Sequence, residues 1–481
     1  MKLLISVYAF ILTSAGSFAM AANNDLPDIG SSASKVLSLA KEQAVGDSYM
    51  RQLRAVAPLM NDAEVNDYIQ HLGFKLVENN PSATDRHFSF FVIDQNSINA
   101  FALPGGYIGV HTGLITKTAN ESELASVIGH EIAHVTQRHM ARRLELQSQL
   151  TIPSLAVFIA AILIGSQSKN NDGTMAAVAG AQGLSKQAII NHTRSGEAEA
   201  DRIGIKTMYQ AGYDPFAVVT FFEKMQQNSR YLSSGFEFLR THPLNRNRIT
   251  DARLRAAELP RRPVIQKPTY LLIKEKINAL TTQINPTVIN SAKRQFDNGD
   301  FKLDEQIYGY ALLLAKAKEL TQAEQLILKL RKKSPNQTSY AIALAEIDIA
   351  KNRPQRSLAI IEELLDKIPG NLALVEMNAK LLLSAQKPAE ARELILENIH
   401  MTSFAPYLYK LLSKAQEESG HPSEVFETEG NYLLSFGDLN GARNQYYQAL
   451  NIHTEDPYAR ERINAQLRLI KEYLYKRSLQ Q

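Results

Sequence analysis

Beyond Asp300 strand signals vanish and three sequence columns recur at one common step, about 34 residues long. Pro335 and Pro369 form one column, each closing a unit in which two short helices precede the proline. Ala323, Ser357 and Ala391 form a second, small residues where two helices must approach closely, and Ile327, Ile361 and Ile395 follow four positions later. No unit of this length can bury its apolar face alone, so units must stack on their neighbours into a quasi-one-dimensional array. After Ile395 the register slips by half a unit and resumes with Gly437-Asp438, Ala442, Tyr446 and Ala449. Such arrays curve, and the concave face suits a protein partner.

The rest of the chain needs a different architecture. With 481 residues, 44% hydrophobic and 21% charged, there is material for more than one globular core, at roughly 150 residues per domain. The first residues read Met1, Lys2, a mostly apolar run from Leu3 to Leu12, and small residues ending in Ala19-Met20-Ala21. A positive start, a short apolar stretch and an A-x-A site make a secretory signal peptide over residues 1–21, cleaved after Ala21, of the bacterial type that delivers a chain to the periplasm. The run falls short of the ~20 apolar residues a membrane-spanning helix needs, so no transmembrane segment is expected after its removal. A net charge of +4 provides no basic stripe for nucleic acid. The chain has no cysteine, which excludes thiol catalysis, Cys-ligated zinc, iron–sulfur clusters and disulfides together. Any metal must be held by His and carboxylate.

Residues 34–80 carry helical periodicity, and from His87 to Ile115 the pattern becomes extended. Phe88, Phe90 and Val92 alternate at period two, Tyr107, Ile108 and Val110 form a second run, and Pro104-Gly105-Gly106 marks a turn between them. The expectation is a small sheet with a hairpin or short edge strand around Ala102 to Val110. Asn120 with Glu123 opens a long helix predicted from Glu121 to about Gln147. An apolar run from Ser154 to Gly165 reads as a buried helix, and Ser166 to Gly183 as a mobile loop or lid. Helices are predicted over Ser195 to Ala211 and Phe216 to Asn228. The proline-rich stretch from Glu258 to Pro268 reads as a linker.

Within the long helix, His130-Glu131-Ile132-Ala133-His134 is an HExxH motif. At helical pitch the two histidines lie about 40° apart, so both imidazoles can reach one metal, while Glu131 stands beside them as a base for water. A catalytic zinc takes a third protein ligand and keeps one position open. No third His follows at a metal-binding spacing, and on a continuous helix His139 is badly placed. The later candidates are His192, Glu197, Glu199, Asp201 and His242. With Glu197 as zero on its helix, Asp201, Met208 and Ala211 fall at roughly 40°, 20° and 320°, on the apolar face, whereas Glu199 falls at roughly 200° beside Lys206 and Gln210. Glu197 is therefore assigned as third zinc ligand and Asp201 as support for a ligand imidazole or the reacting groups, with Glu199 pointing to solvent. Salt bridges of Glu197 and Asp201 with Arg194 or Arg202 are the structural alternative.

The HEIAH helix followed by Glu197-Ala198-Glu199-Ala200-Asp201, which fits E-x-x-A-D, resembles the gluzincin metalloproteases that include HtpX and the CAAX-type prenyl endopeptidases. Asn99-Ala100-Phe101-Ala102, Pro104-Gly105-Gly106 and Thr241-His242-Pro243 are similar as well. The repeat period resembles the tetratricopeptide helix-turn-helix, and the full layout resembles periplasmic gluzincins that enhance β-barrel assembly. The resemblance implies an α+β zincin-like metalloprotease domain, mostly helical with a small sheet, followed by an all-α tetratricopeptide-repeat solenoid. The expected division is signal peptide 1–21, zinc metalloprotease domain 22–262, linker and leading helices 263–300, and repeats 301–475. It also implies one Zn2+ per chain on His130, His134 and Glu197, with Glu131 as general base. Asp201 matches a position assigned in such families as proton donor. His242 matches a residue that in close relatives takes the fourth metal position and holds the enzyme latent; the alternative is a histidine capping backbone beside Pro243.

The function expected from these parts is a periplasmic zinc endopeptidase that degrades unfolded or misassembled outer-membrane proteins and aids their assembly, docking on the β-barrel assembly machinery through its repeats. A strand near Ala102 to Val110 would align an extended peptide by adding it to the sheet. The competing readings are a chaperone or scaffold whose repeats bind clients while the zinc site stays latent, and a zinc enzyme acting on peptidoglycan peptides.

Overall fold

The computed structural model describes residues 38–147, 183–229, 237–264, 267–403, 405–452 and 457–478. The expected signal peptide, the apolar run from Ser154 to Gly165 and nearly all of the predicted loop after it lie outside these residues. Among the described residues there are 21 α-helices and three strands, and no helix is long and apolar enough to cross a membrane.

Two helices, α1 (Leu39–Val56) and α2 (Ala63–Glu78), lead into the sheet. Its strands are β1 (Ser89–Ile93), β2 (Ala100–Leu103) and β3 (Tyr107–His111), in the order β1-β3-β2. β1 runs parallel to β3, and β2 pairs antiparallel with it as a hairpin through Pro104–Gly106. Gly106 sits there at φ 78°, where a Cβ would stand 1.7 Å from the His87 carbonyl oxygen. The expected hairpin is thus made by β2 and β3, with β3 the central strand and β1 and β2 at the two edges of the sheet. The period-two alternation of β1 reflects two apolar faces rather than one wet one. Phe90 and Val92 join the main core with α2, whereas Phe91 and Ile93 pack with Met50 and Leu53 of α1.

After a short α3 (Thr112–Lys117) comes α4 (Glu121–Thr136), whose start is fixed as expected: Asn120 Oδ1 accepts from Glu123 N, and Glu123 Oε2 from Ala119 N. Nearly every residue of α4 is buried, so it is the central helix of the N-terminal core. The predicted helix to Gln147 is not continuous. It breaks after Thr136, Arg138 takes φ 54°, and α5 (His139–Gln147) sets off in a new direction. Arg138 is held there by Glu42 of α1, with Nε and Nη2 each 3.2 Å from Glu42 Oε2. Next come α6 (Gly183–Gln210), which stops before Gly212 at φ 92°, α7 (Ala217–Ser229), α8 (Glu237–Thr241) and α9 (Arg246–Ala257).

The remaining helices are α10 (Pro268–Thr281), α11 (Pro286–Asp297), α12 (Asp304–Lys316), α13 (Leu320–Lys333), α14 (Thr338–Ala350), α15 (Pro354–Lys367), α16 (Leu372–Ser384), α17 (Pro388–Glu397), α18 (Leu408–Glu418), α19 (Pro422–Ser435), α20 (Leu439–Ile452) and α21 (Pro457–Ser478). From α12 onward each packs on the next in chain order, whereas α10 packs on α12 past α11. The small and isoleucine columns read from the sequence are all fully buried. A further column becomes visible in the backbone. Lys318, Asn352, Gln386 and Gly420, evenly spaced at the same step as the side-chain columns, all have φ between 54° and 82°. The residue after each donates its N–H to the carbonyl five positions back, from Glu319 to Leu314 through to His421 to Gln416. These are helix-ending turns of one kind, repeated in step. The series thus keeps its interval to Gly420, past the point where the side-chain columns slip, and the half-step comes at Gly437.

Candidate metal centre

The site is assembled where α4 and α6 cross. Gly129 and Gly204 face each other at that crossing, and a Cβ on Gly204 would stand 3.0 Å from His130 N. Without side chains there, the helices close up far enough for the inward face of α6 to reach the imidazoles of α4.

His130, His134, Glu197 and His242 each point a ligand atom at one spot, all within 4.8 Å of one another. His130 Nε2 lies 3.0 Å from His134 Nε2, 3.3 Å from His242 Nδ1 and 3.4 Å from Glu197 Oε2. His134 Nε2 is 3.5 Å from Glu197 Oε1, and His242 Nδ1 is 3.1 Å from Glu197 Oε2. Three imidazole nitrogens and a carboxylate converging at such distances form a donor set that suits zinc. Among the described residues Glu131 Oε1 is buried and makes no hydrogen bond, with His242 Nε2 3.2 Å away. The His242 imidazole is directed into this cluster rather than at backbone beside Pro243, and it stacks on Phe238 with ring centroids 4.7 Å apart.

Asp201 stands behind His130, its Oδ1 2.9 Å from His130 Nδ1. Its counter-charge is neither Arg194 nor Arg202 but Arg248 of α9. Arg248 Nε and Nη2 donate to the two oxygens of Asp201 at 2.7 and 2.8 Å, and Nη1 donates to the Pro243 carbonyl and lies 3.0 Å from Glu197 Oε2. Sequence reasoning missed Arg248; two inward carboxylates on one apolar face were the signal that a buried cation had to exist. Glu199, expected on the solvated face, is instead half-buried between His139 and Arg142.

Charge in the site follows from these contacts. Burial would raise the Glu197 carboxyl, but His242 and His130 outweigh it and hold the group well below the usual carboxylate range. Burial likewise opposes charge on Asp201, yet bonds from His130 and Arg248 keep its pKa depressed. Without a metal, His130 is pulled down by burial and lifted more strongly by Asp201 and Glu197, reaching about 10. His134 is pushed well down by burial and by the neighbouring imidazoles of His130 and His242.

Residues 63–256, which carry all of these groups, match peptidase family M48. A β-barrel assembly-enhancing protease of Yersinia pestis is 34% identical over 87% of this chain and 85% of its own length. The chain belongs to peptidase family M48. A β-barrel assembly-enhancing protease of Escherichia coli K12 is also 34% identical, over 79% of this chain and 77% of its own. The mitochondrial metalloendopeptidase OMA1 of Schizosaccharomyces pombe is 32% identical over 34% of this chain and 46% of its length. As an M48 peptidase the chain is a zinc-dependent metalloendopeptidase, and the four-residue donor group is compatible with that ion.

Proposed function

We propose that this peptidase works in the periplasm, cleaves misassembled outer-membrane β-barrel proteins and assists their assembly, with His242 keeping it latent at rest. The observation that carries the reading is the convergence of His130, His134, Glu197 and His242 with Glu131 directly beside them. The bacterial relatives, named β-barrel assembly-enhancing proteases, support the process. Residues 22–262 form the peptidase domain, residues 263–300 the linker and leading helices, and residues 301–475 a tetratricopeptide-repeat solenoid that docks on the β-barrel assembly machinery or on substrate. The evenly spaced turn column supports the last of these.

Zinc held by His130, His134 and Glu197 supplies a Lewis acid for the scissile carbonyl and for water. Glu131 takes the proton of the attacking water at Oε1, which no hydrogen bond among the described residues occupies, and returns it to the departing amine. Asp201 fixes the ring of His130 and has no proton to donate, because both its oxygens are taken by His130 and Arg248. β2, the edge strand of the sheet beside α4, aligns an extended peptide by strand addition. His242 must swing away for substrate to enter, which breaks its stacking on Phe238.

Cleavage of an unfolded outer-membrane protein by the full chain tests this. Glu131→Gln should lower the rate about 10²–10⁴-fold, the usual worth of a general base, and His242→Ala should raise basal cleavage. Undiminished cleavage by Glu131→Gln would overturn the assignment. Full assembly activity in that variant would instead favour the chaperone reading.

A further inference from the structure

His130 is steadied from behind by Asp201, but among the described residues no carboxylate stands at the back of His134. Its Nδ1 is 2.8 Å from Nδ1 of His139, the first residue of α5. On an unbroken helix His139 would lie about 140° round from His134 and out of reach. The break at Arg138 brings it back. The other nitrogen of the same ring, Nε2, is 3.1 Å from Glu199 Oε2, and Arg142 Nη1 donates to that oxygen at 3.0 Å.

Two ring nitrogens facing each other this closely can share only one proton. The carboxylate of Glu199 accepts and never donates, so it draws the His139 proton to Nε2 and leaves Nδ1 as a lone pair. That lone pair accepts from His134 Nδ1–H, which in turn leaves His134 Nε2 unprotonated and facing the metal group. We propose that His139 and Glu199 are positioning residues that set the tautomer and orientation of the zinc ligand His134. The inference rests on the reading of His134 as a ligand. It makes the two histidines of the motif alike in function: each has a partner that accepts a hydrogen bond from its Nδ1–H, Asp201 for one and His139 backed by Glu199 for the other.

Zinc affinity of the full chain, measured by competition with a chromogenic chelator, tests this without reference to turnover. Removing such a partner typically weakens metal binding about 10- to 100-fold, and His139→Phe should do so. His139→Asn, whose side-chain oxygen can accept the same proton, should recover most of the loss. Wild-type affinity in His139→Phe, or equal loss in both variants, would overturn the proposal. If His134→Ala, measured alongside, binds zinc normally, the ligand reading itself fails; if it loses zinc while His139→Phe does not, only the present inference fails. Nitrogen-15 spectra of the zinc-loaded wild type give an answer that needs no variant to fold. His139 should carry its proton on Nε2 and His134 on Nδ1, and a proton on His139 Nδ1 would refute the scheme.

Discussion

His111, at the end of β3, is buried with Nδ1 2.7 Å from Ser97 Oγ and its ring edge-on to Phe101. Burial pushes its pKa down to about 4. The unfolded chain protonates this imidazole near the ordinary ~6.5, so below that value it binds more protons than the folded chain. Stability is therefore lost as the pH falls from there through about 4, and His111 alone should account for about 2 kcal/mol between pH 7 and pH 5. Urea melts of wild type and His111→Gln at the two pH values should show a flatter dependence in the variant; parallel losses would mean that the ring titrates alike in both states. At this scale the sequence was informative wherever chemistry follows local spacing. HEIAH and the inward face of α6 need only the helical period, whereas Arg248 reaches its carboxylates across a helix crossing that no local pattern announces.

The helices themselves were mostly legible, because their periods and caps are local, but the two places where backbone overrides pattern were not. Apolar periodicity runs on through Arg138, and nothing in the side chains announces φ 54° there. The turn column was hidden for a related reason: three of its four left-handed positions hold Lys318, Asn352 and Gln386 rather than glycine. A side chain in that conformation costs roughly 1–2 kcal/mol, partly offset by the greater chain entropy of glycine. Gln386→Gly should therefore stabilise the fold by about 0.5–1 kcal/mol, and Gly420→Gln, where a Cβ would meet nothing within 4 Å, should cost a similar amount. Thermal melts that moved the same way for both substitutions would contradict this account.

Across the whole molecule, α10 belongs to two cores. Tyr270, Ile273 and Ile277 pack with the sheet and α4, while Leu272 and Ala279 pack with α12 and α14. Its Lys276, 3% exposed, reaches Glu64 of α2 at 2.7 Å and Asp62, which caps the start of that helix, at 3.2 Å. Burial works against charge on Lys276, but these two carboxylates hold its pKa well above the ordinary value. Lys276→Met should strand buried carboxylates and cost about 3–5 kcal/mol in a denaturant melt, and adding Glu64→Gln should restore part of that. A single variant as stable as wild type would show that the charges are not needed. The interval between the first helices of successive pairs also varies: Asp304, Thr338 and Leu372 begin at the common step, but Leu408 begins two positions late. Arg54 of α1 donates to the Ser403 carbonyl, within the lengthened connection, and to that of Ser435. A strictly periodic stack would offer a docking body several equivalent seats, one per unit. The lengthened connection acts as an index mark, and the N-terminal body, seated on it, has a single alignment.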